Sequence, residues 1–178
     1  MKIQKHAILL FVALTTLYSC DKIDELTEFD VDGNFTTTIT VAVAEDPNGE
    51  PQAFTQSGMI NIAENQDIQD NFNKIESVTI NSLTYEITNF SGAEGAIITN
   101  ASINFGATTI QVTDLNVQQA DADNQVFSVN NTQQLNAIAA ALKNSPNLTV
   151  TISGSVNDTP VNFNVVVKAN VTVTIDAA

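Results

Sequence analysis

Apolar residues fall on every second position along most of the chain, the period of a strand with one buried face. Phe35, Ile39, Val41 and Val43 share a phase with Thr37, and the run stops at the turn formers Glu45-Asp46-Pro47-Asn48-Gly49. Phe54, Ile60 and Ile62 suggest a second strand, and Ile68, Phe72 and Ile75 then follow at helical spacing as a short connector. Val78 and Ile80 give way to Leu83, Tyr85 and Ile87, so the phase slips and predicts a bulge near Asn81-Ser82. After Ser91 to Gly95 the alternation resumes at Ile97, Ala101, Ile103 and Phe105. It continues at Ile110 and Val112, then changes phase across Asp114 to Leu115 and Val117.

One stretch has the period of a helix. Leu135, Ile138, Ala139 and Leu142 form a stripe, Asn131 stands as N-cap with Gln134 at the third helical position, and Lys143 suits the last turn. Pro146 ends it, giving a helix within 131–145. The longest strand signal comes last: Val161, Phe163, Val165, Val167, Ala169, Val171, Val173 and Ile175 alternate with Asn, Thr and Lys168 over about 50 Å. If 147–156 and 161–175 pair as a hairpin around Asn157-Asp158-Thr159-Pro160, Leu148 falls near Ala169 and residues 171–175 need another partner. Phe35–Val43 is the candidate to supply it. The expected fold is all-β, an antiparallel β-sandwich of about eight strands with one packed helix at 131–145. The alternative is an α+β fold with a curved sheet wrapped on that helix.

Composition changes the picture mainly by what it lacks. The chain holds 178 residues with a net charge of −14, one Cys, one His, no Trp and no Arg. From Cys20 onward four lysines face all twenty acids, a formal charge of −16, and His6 lies upstream. Without imidazole there, Ser–His–Asp and Cys–His nucleophile activation and the usual zinc, copper or haem ligand sets are missing. A lone Cys forms no disulfide framework. Scattered lysines make no basic patch, so no nucleic-acid partner is expected.

The first twenty residues read as an export signal: basic Lys2 and Lys5, an apolar run from Ala7 to Leu17, then Leu17-Tyr18-Ser19-Cys20. That closing segment resembles the lipobox of bacterial lipoproteins. The resemblance implies acyl chains, palmitate among them, on Cys20, cleavage of residues 1–19, and anchoring to a membrane through the acylated Cys20. The acidic residues after Cys20 and the Asn/Thr-rich, Arg-free composition resemble exported Bacteroidota lipoproteins. They imply an outer-membrane lipoprotein of the cell envelope, with either surface or periplasmic orientation open, while Asp21 directly after Cys20 also resembles the inner-membrane retention mark of enteric lipoproteins. The expected organisation is signal peptide 1–19, acidic tether 20–33 and a single sandwich domain 34–178.

Candidate chemistry is sparse. Glu28-Phe29-Asp30-Val31-Asp32-Gly33 has the first half of a calcium loop, but its twelfth position is Ile39 rather than Glu. Asp121-Ala122-Asp123-Asn124 and Glu45-Asp46 with Glu50 are two further acidic loops. All three read as solvated turns or tether, so no metal, cofactor-binding or catalytic residue is assigned. Glu76 and Glu86 sit ten residues apart on one bulged strand, about 30 Å when extended, against the ~5–9.5 Å of a two-carboxylate glycosidase. Tyr85 reads as an inward ring with its hydroxyl at a rim, and the Thr- and Asn-rich strand faces read as ordinary exposed faces, with strand addition by a partner as the alternative. Leu135 to Leu142 reads as a core helix. The expected function is a lipid-anchored, non-enzymatic surface module with a structural, adhesive or binding role and a protein or glycan partner. The alternatives are a carboxylate-dependent hydrolase of surface glycans and an accessory subunit of a surface filament.

Overall fold

A computed structural model describes residues 27–112 and 114–177 of the chain. The segment expected to be an export signal and Cys20, where lipid attachment is expected, lie outside the described residues. In chain order come β1 (Glu28–Val43), β2 (Gln52–Asn61), the short helix α1 (Gln66–Asp70) between two 3-10 turns, and β3 (Ile75–Gly92). Then follow β4 (Ile97–Phe105), β5 (Thr108–Val112), β6 (Leu115–Asn116), α2 (Val117–Ala122), β7 (Val126–Ser128), α3 (Thr132–Asn144), β8 (Asn147–Val156) and β9 (Val161–Asp176). The strands form two antiparallel sheets, one ordered β1-β9-β3-β7 and the other β2-β8-β4-β5, with β6 on β4 past the end of β5. This is an all-β antiparallel sandwich, with nine strands among the described residues.

The eight alternating apolar positions of β9 are all buried. Its neighbours are β1 and β3, of 16 and 18 residues, long enough to flank its 16. Here the expected hairpin is overturned. β8 and β9 lie in different sheets, and the turn at 157–160 carries the chain from one sheet to the other. A ten-residue β8 would have left the far end of β9 bare; β1 covers all of it, from Glu28↔Asp176 to Val43↔Val161.

The same pairing corrects the tether. Phe29 to Gly33 are strand residues opposite Val171 to Ile175, so the acidic segment itself covers the end of β9 that Phe35–Val43 was expected to cover. Val31 and Gly33 point inward while Asp30 and Asp32 point out. Gly33 is explained by packing: a Cβ there would stand 2.4 Å from the Phe35 ring, which lies across it.

Other boundaries follow from bulges. The β3 register against β9 shifts between Ile80 and Ser82, where the phase slip was expected. In β4 the inward residue is Ile98 rather than Ile97; the register against β8 breaks between Thr99 and Ser102, and Asn100 adopts φ 53°. Val117, expected on a strand, instead opens α2, because the Asn116 side chain accepts the Gln119 N–H at 2.9 Å and caps a helix. The helix α3 matches its sequence signature: Asn131 accepts from the Gln134 N–H at 3.1 Å, Ile138, Ala139 and Leu142 are buried, and Lys143 donates to the Glu76 carbonyl. It packs on β3, β5 and β8, on the side of the sandwich away from β1 and β2.

On that opposite side β1 and β2 approach closely at Gly58, where an added Cβ would lie 2.7 Å from both Ile39 Cγ1 and Thr37 Oγ1. Gly58→Ala should therefore lower stability by about 1–3 kcal/mol through overpacking. Urea unfolding of the variant beside the parent protein checks this; an unchanged midpoint would mean that the sheets have slack there.

Candidate functional site

The sandwich is open along the flank where β3 has only the three-residue β7 as its outer neighbour. A cleft of about 490 Å3 lies there, between β3 and β7 on one side and β5, β6 and α2 on the other. Tyr85 and Phe127 face each other as a cross-strand pair, and their rings stack at 4.9 Å between centroids with planes 11° apart. Both rings line the cleft, with Val112 and Leu115 across from them. The remaining lining is polar: the carboxamides of Gln111, Asn116, Gln119 and Gln125, and the carboxylate of Asp114.

Local structure explains how these groups converge. Asn116 ends β6 and caps α2, which sets Gln119 on the first turn above the cleft. Asp121 accepts the Phe90 N–H at 2.9 Å and ties α2 to β3. At the end of α2, Asn124 takes φ 49° and Gln125 N–H returns to the Ala120 carbonyl at 2.9 Å, turning the chain into β7. Tyr85 also borders a small apolar void of about 20 Å3, beside the edge-to-face pair Phe54 and Phe163. Its ring is thus a partition between core and cleft. Partial burial raises the phenol above its usual pKa, because the phenolate is the form that loses hydration.

The acidic motifs have structural partners instead of converging. Asp30 accepts from the Thr174 hydroxyl at 2.8 Å and Asp32 accepts from that of Thr172, on the outer face of the first sheet. Asp46 accepts the N–H groups of Asn48 and Glu50 at 3.1 and 2.9 Å, closing its own turn, and Glu45 and Glu50 stand exposed beside it. Among the described residues no three His, Cys, Asp or Glu side chains come together as a metal-binding group. Glu76 and Glu86 both lie on β3, and Glu86 forms an ion pair with Lys168 at 2.7 Å. Asp114 is the one carboxylate lining the cleft, where two-carboxylate hydrolysis needs a pair.

Sequence reasoning placed Tyr85 inward but missed its partners. Phe127 sits on a strand of three residues, too short to show alternation, and α2 has no apolar stripe beyond Val117 and Ala120. The signal for α2 was present: Asn116-x-x-Gln119 repeats the cap spacing of Asn131-x-x-Gln134.

Fold and site together define an all-β sandwich with a flank cleft walled by two rings and a rim of carboxamides. No family model and no curated protein sequence matches the chain. Among solved structures, the chain is similar to a decameric BFDV capsid protein (TM-score 0.42, 6% identity, covering 82% of this chain and 99% of that one). It is also similar to the Desmodium yellow mottle tymovirus structure (TM-score 0.35, 10% identity, 83% of each chain). A third is that of tobacco necrosis virus (TM-score 0.28, 13% identity, 79% of this chain and 95% of that one). Likenesses this distant carry no inference about function.

The Tyr85 shift has a definite sign in stability. The folded phenol keeps its proton at a pH where the unfolded phenol has lost it, so the contribution is full below the unfolded pKa and is lost as pH rises through the folded one. Unfolding free energy should fall above about pH 10, and Tyr85→Phe should remove that part of the decline. Urea titrations of both proteins across the alkaline range check it; parallel curves would mean that Tyr85 contributes nothing.

Proposed function

We propose that the protein is a lipid-anchored, non-enzymatic binding module of the bacterial outer surface, and that the flank cleft holds its ligand. The observation that carries this reading is the cleft itself. Its volume falls in the ~300–1,000 Å3 range of small-molecule sites, and it combines apolar walls with a few convergent polar groups. A single lining carboxylate favours binding over two-acid hydrolysis.

The anchor reading fits the position of the domain. Strand β1 begins eight residues after Cys20, so an acylated Cys20 would hold the sandwich within about 28 Å of the membrane surface at full extension. Tyr85 lies ten residues along β3 from Ile75, which is beside the tethered end, or about 30 Å up the strand. The cleft would therefore open sideways above the lipid, within reach of molecules on the same surface.

Two measurements test this reading. Cys20→Ala should move the protein from the membrane to the soluble fraction, and retention in the membrane would sink the anchor. An epitope placed in the exposed turn at 45–50 should bind antibody on intact cells; labelling only after permeabilisation would put the domain on the inner side.

A further inference from the structure

Resting on the reading of the cleft as the ligand site, we infer that the group it accepts is a neutral pyranose ring of a glycan. Two features of the cleft point to that chemistry, its aromatic side and its carboxamides. Tyr85 and Phe127, stacked on one another, give the cleft an apolar aromatic side, which suits the C–H groups of a sugar ring. Opposite them stand carboxamides, each a donor and an acceptor at once, as neighbouring sugar hydroxyls are. The side chains of Gln111, Gln119 and Gln125 have no protein partner among the described residues, so their capacity is open to a ligand.

Charge selects among sugars. Asp114 is the one acidic residue lining the cleft, and no lysine lines it. Lys168 is engaged by Glu86 on the outer face of the first sheet, and Lys143 by the Glu76 carbonyl. A uronate, sulfate or phosphate would meet an uncompensated carboxylate within a domain of strongly negative charge. An aliphatic ligand would instead cover the unpartnered carboxamides and lose their hydration without return. A neutral polyhydroxy ring meets neither penalty.

The protein carries its own reporter for this site. Tyr85 is the single tyrosine beyond the signal segment and there is no Trp, so intrinsic fluorescence reads the cleft. The protein, in a zwitterionic detergent without sugar headgroups, is titrated with neutral trisaccharides of glucose, mannose and N-acetylglucosamine, with trigalacturonate, and with adenosine. At least one neutral trisaccharide should change Tyr85 emission saturably, with trigalacturonate about tenfold weaker or more. Gln119→Ala and Gln125→Ala, both at exposed positions, should each weaken binding about two- to tenfold, the worth of one net hydrogen bond. Phe127→Ala should weaken it about tenfold, with circular dichroism confirming the fold of each variant.

Saturable binding of adenosine alone, equal binding of trigalacturonate, sugar binding indifferent to both Gln variants, or no response to any trisaccharide would each overturn the sugar assignment. None of these outcomes touches the anchor or the surface orientation, which the Cys20→Ala fractionation and the antibody assay decide separately.

Discussion

The constraint that organises this molecule is the need to cover both edges of β9 while its apolar face is buried. Sixteen residues with alternate positions sealed from water cannot sit at a sheet edge, nor pair along only part of their length. That demand draws in β1 and β3, the two other long strands, and leaves β2, β4, β5, β6 and β8 to the facing sheet. It also decides the fate of the acidic segment before Asn34. Those residues have the composition of a solvated linker, yet Val31 and the gap above Gly33 are needed inside, and the acids are tolerated because they alternate outward onto Thr172 and Thr174.

Much of this architecture was legible from periodicity. The buried phase of β9, the bulge at Asn81-Ser82, the capped helix α3 and the two-sheet arrangement each follow from residues spaced at two or at 3.6. What periodicity could not supply was partnership. Alternation says which face is buried but not which strand lies alongside, so the turn at 157–160 was read as a hairpin although it crosses between sheets. Strand length held the answer, since β8 is six residues shorter than β9.

The candidate site was less legible, for a physical reason. Apart from β3, its walls come from short elements, β5, β6, α2 and β7, which have five, two, six and three residues. Such pieces are held by caps and cross-links such as Asn116 and Asp121 rather than by their own amphipathic pattern. Only Tyr85 belongs to a long strand, and only Tyr85 was visible in advance. The cleft is a by-product of unequal strand lengths: β3 outruns its neighbour β7, and the sheets are left apart at that margin.

The union of β1 with β9 joins the two ends of the domain, pairing Glu28 with Asp176 across almost the whole described chain. The first sheet cannot be completed before β9 is present, because β9 lies between β1 and β3 and follows every other strand of that sheet in the chain. Pairings so distant in sequence slow the search for the native state. A chain emerging N-terminus first would thus leave β1 and β3 without their shared neighbour until β9 followed. The seam between the two ends of the domain makes closure of that sheet a late, all-or-none event.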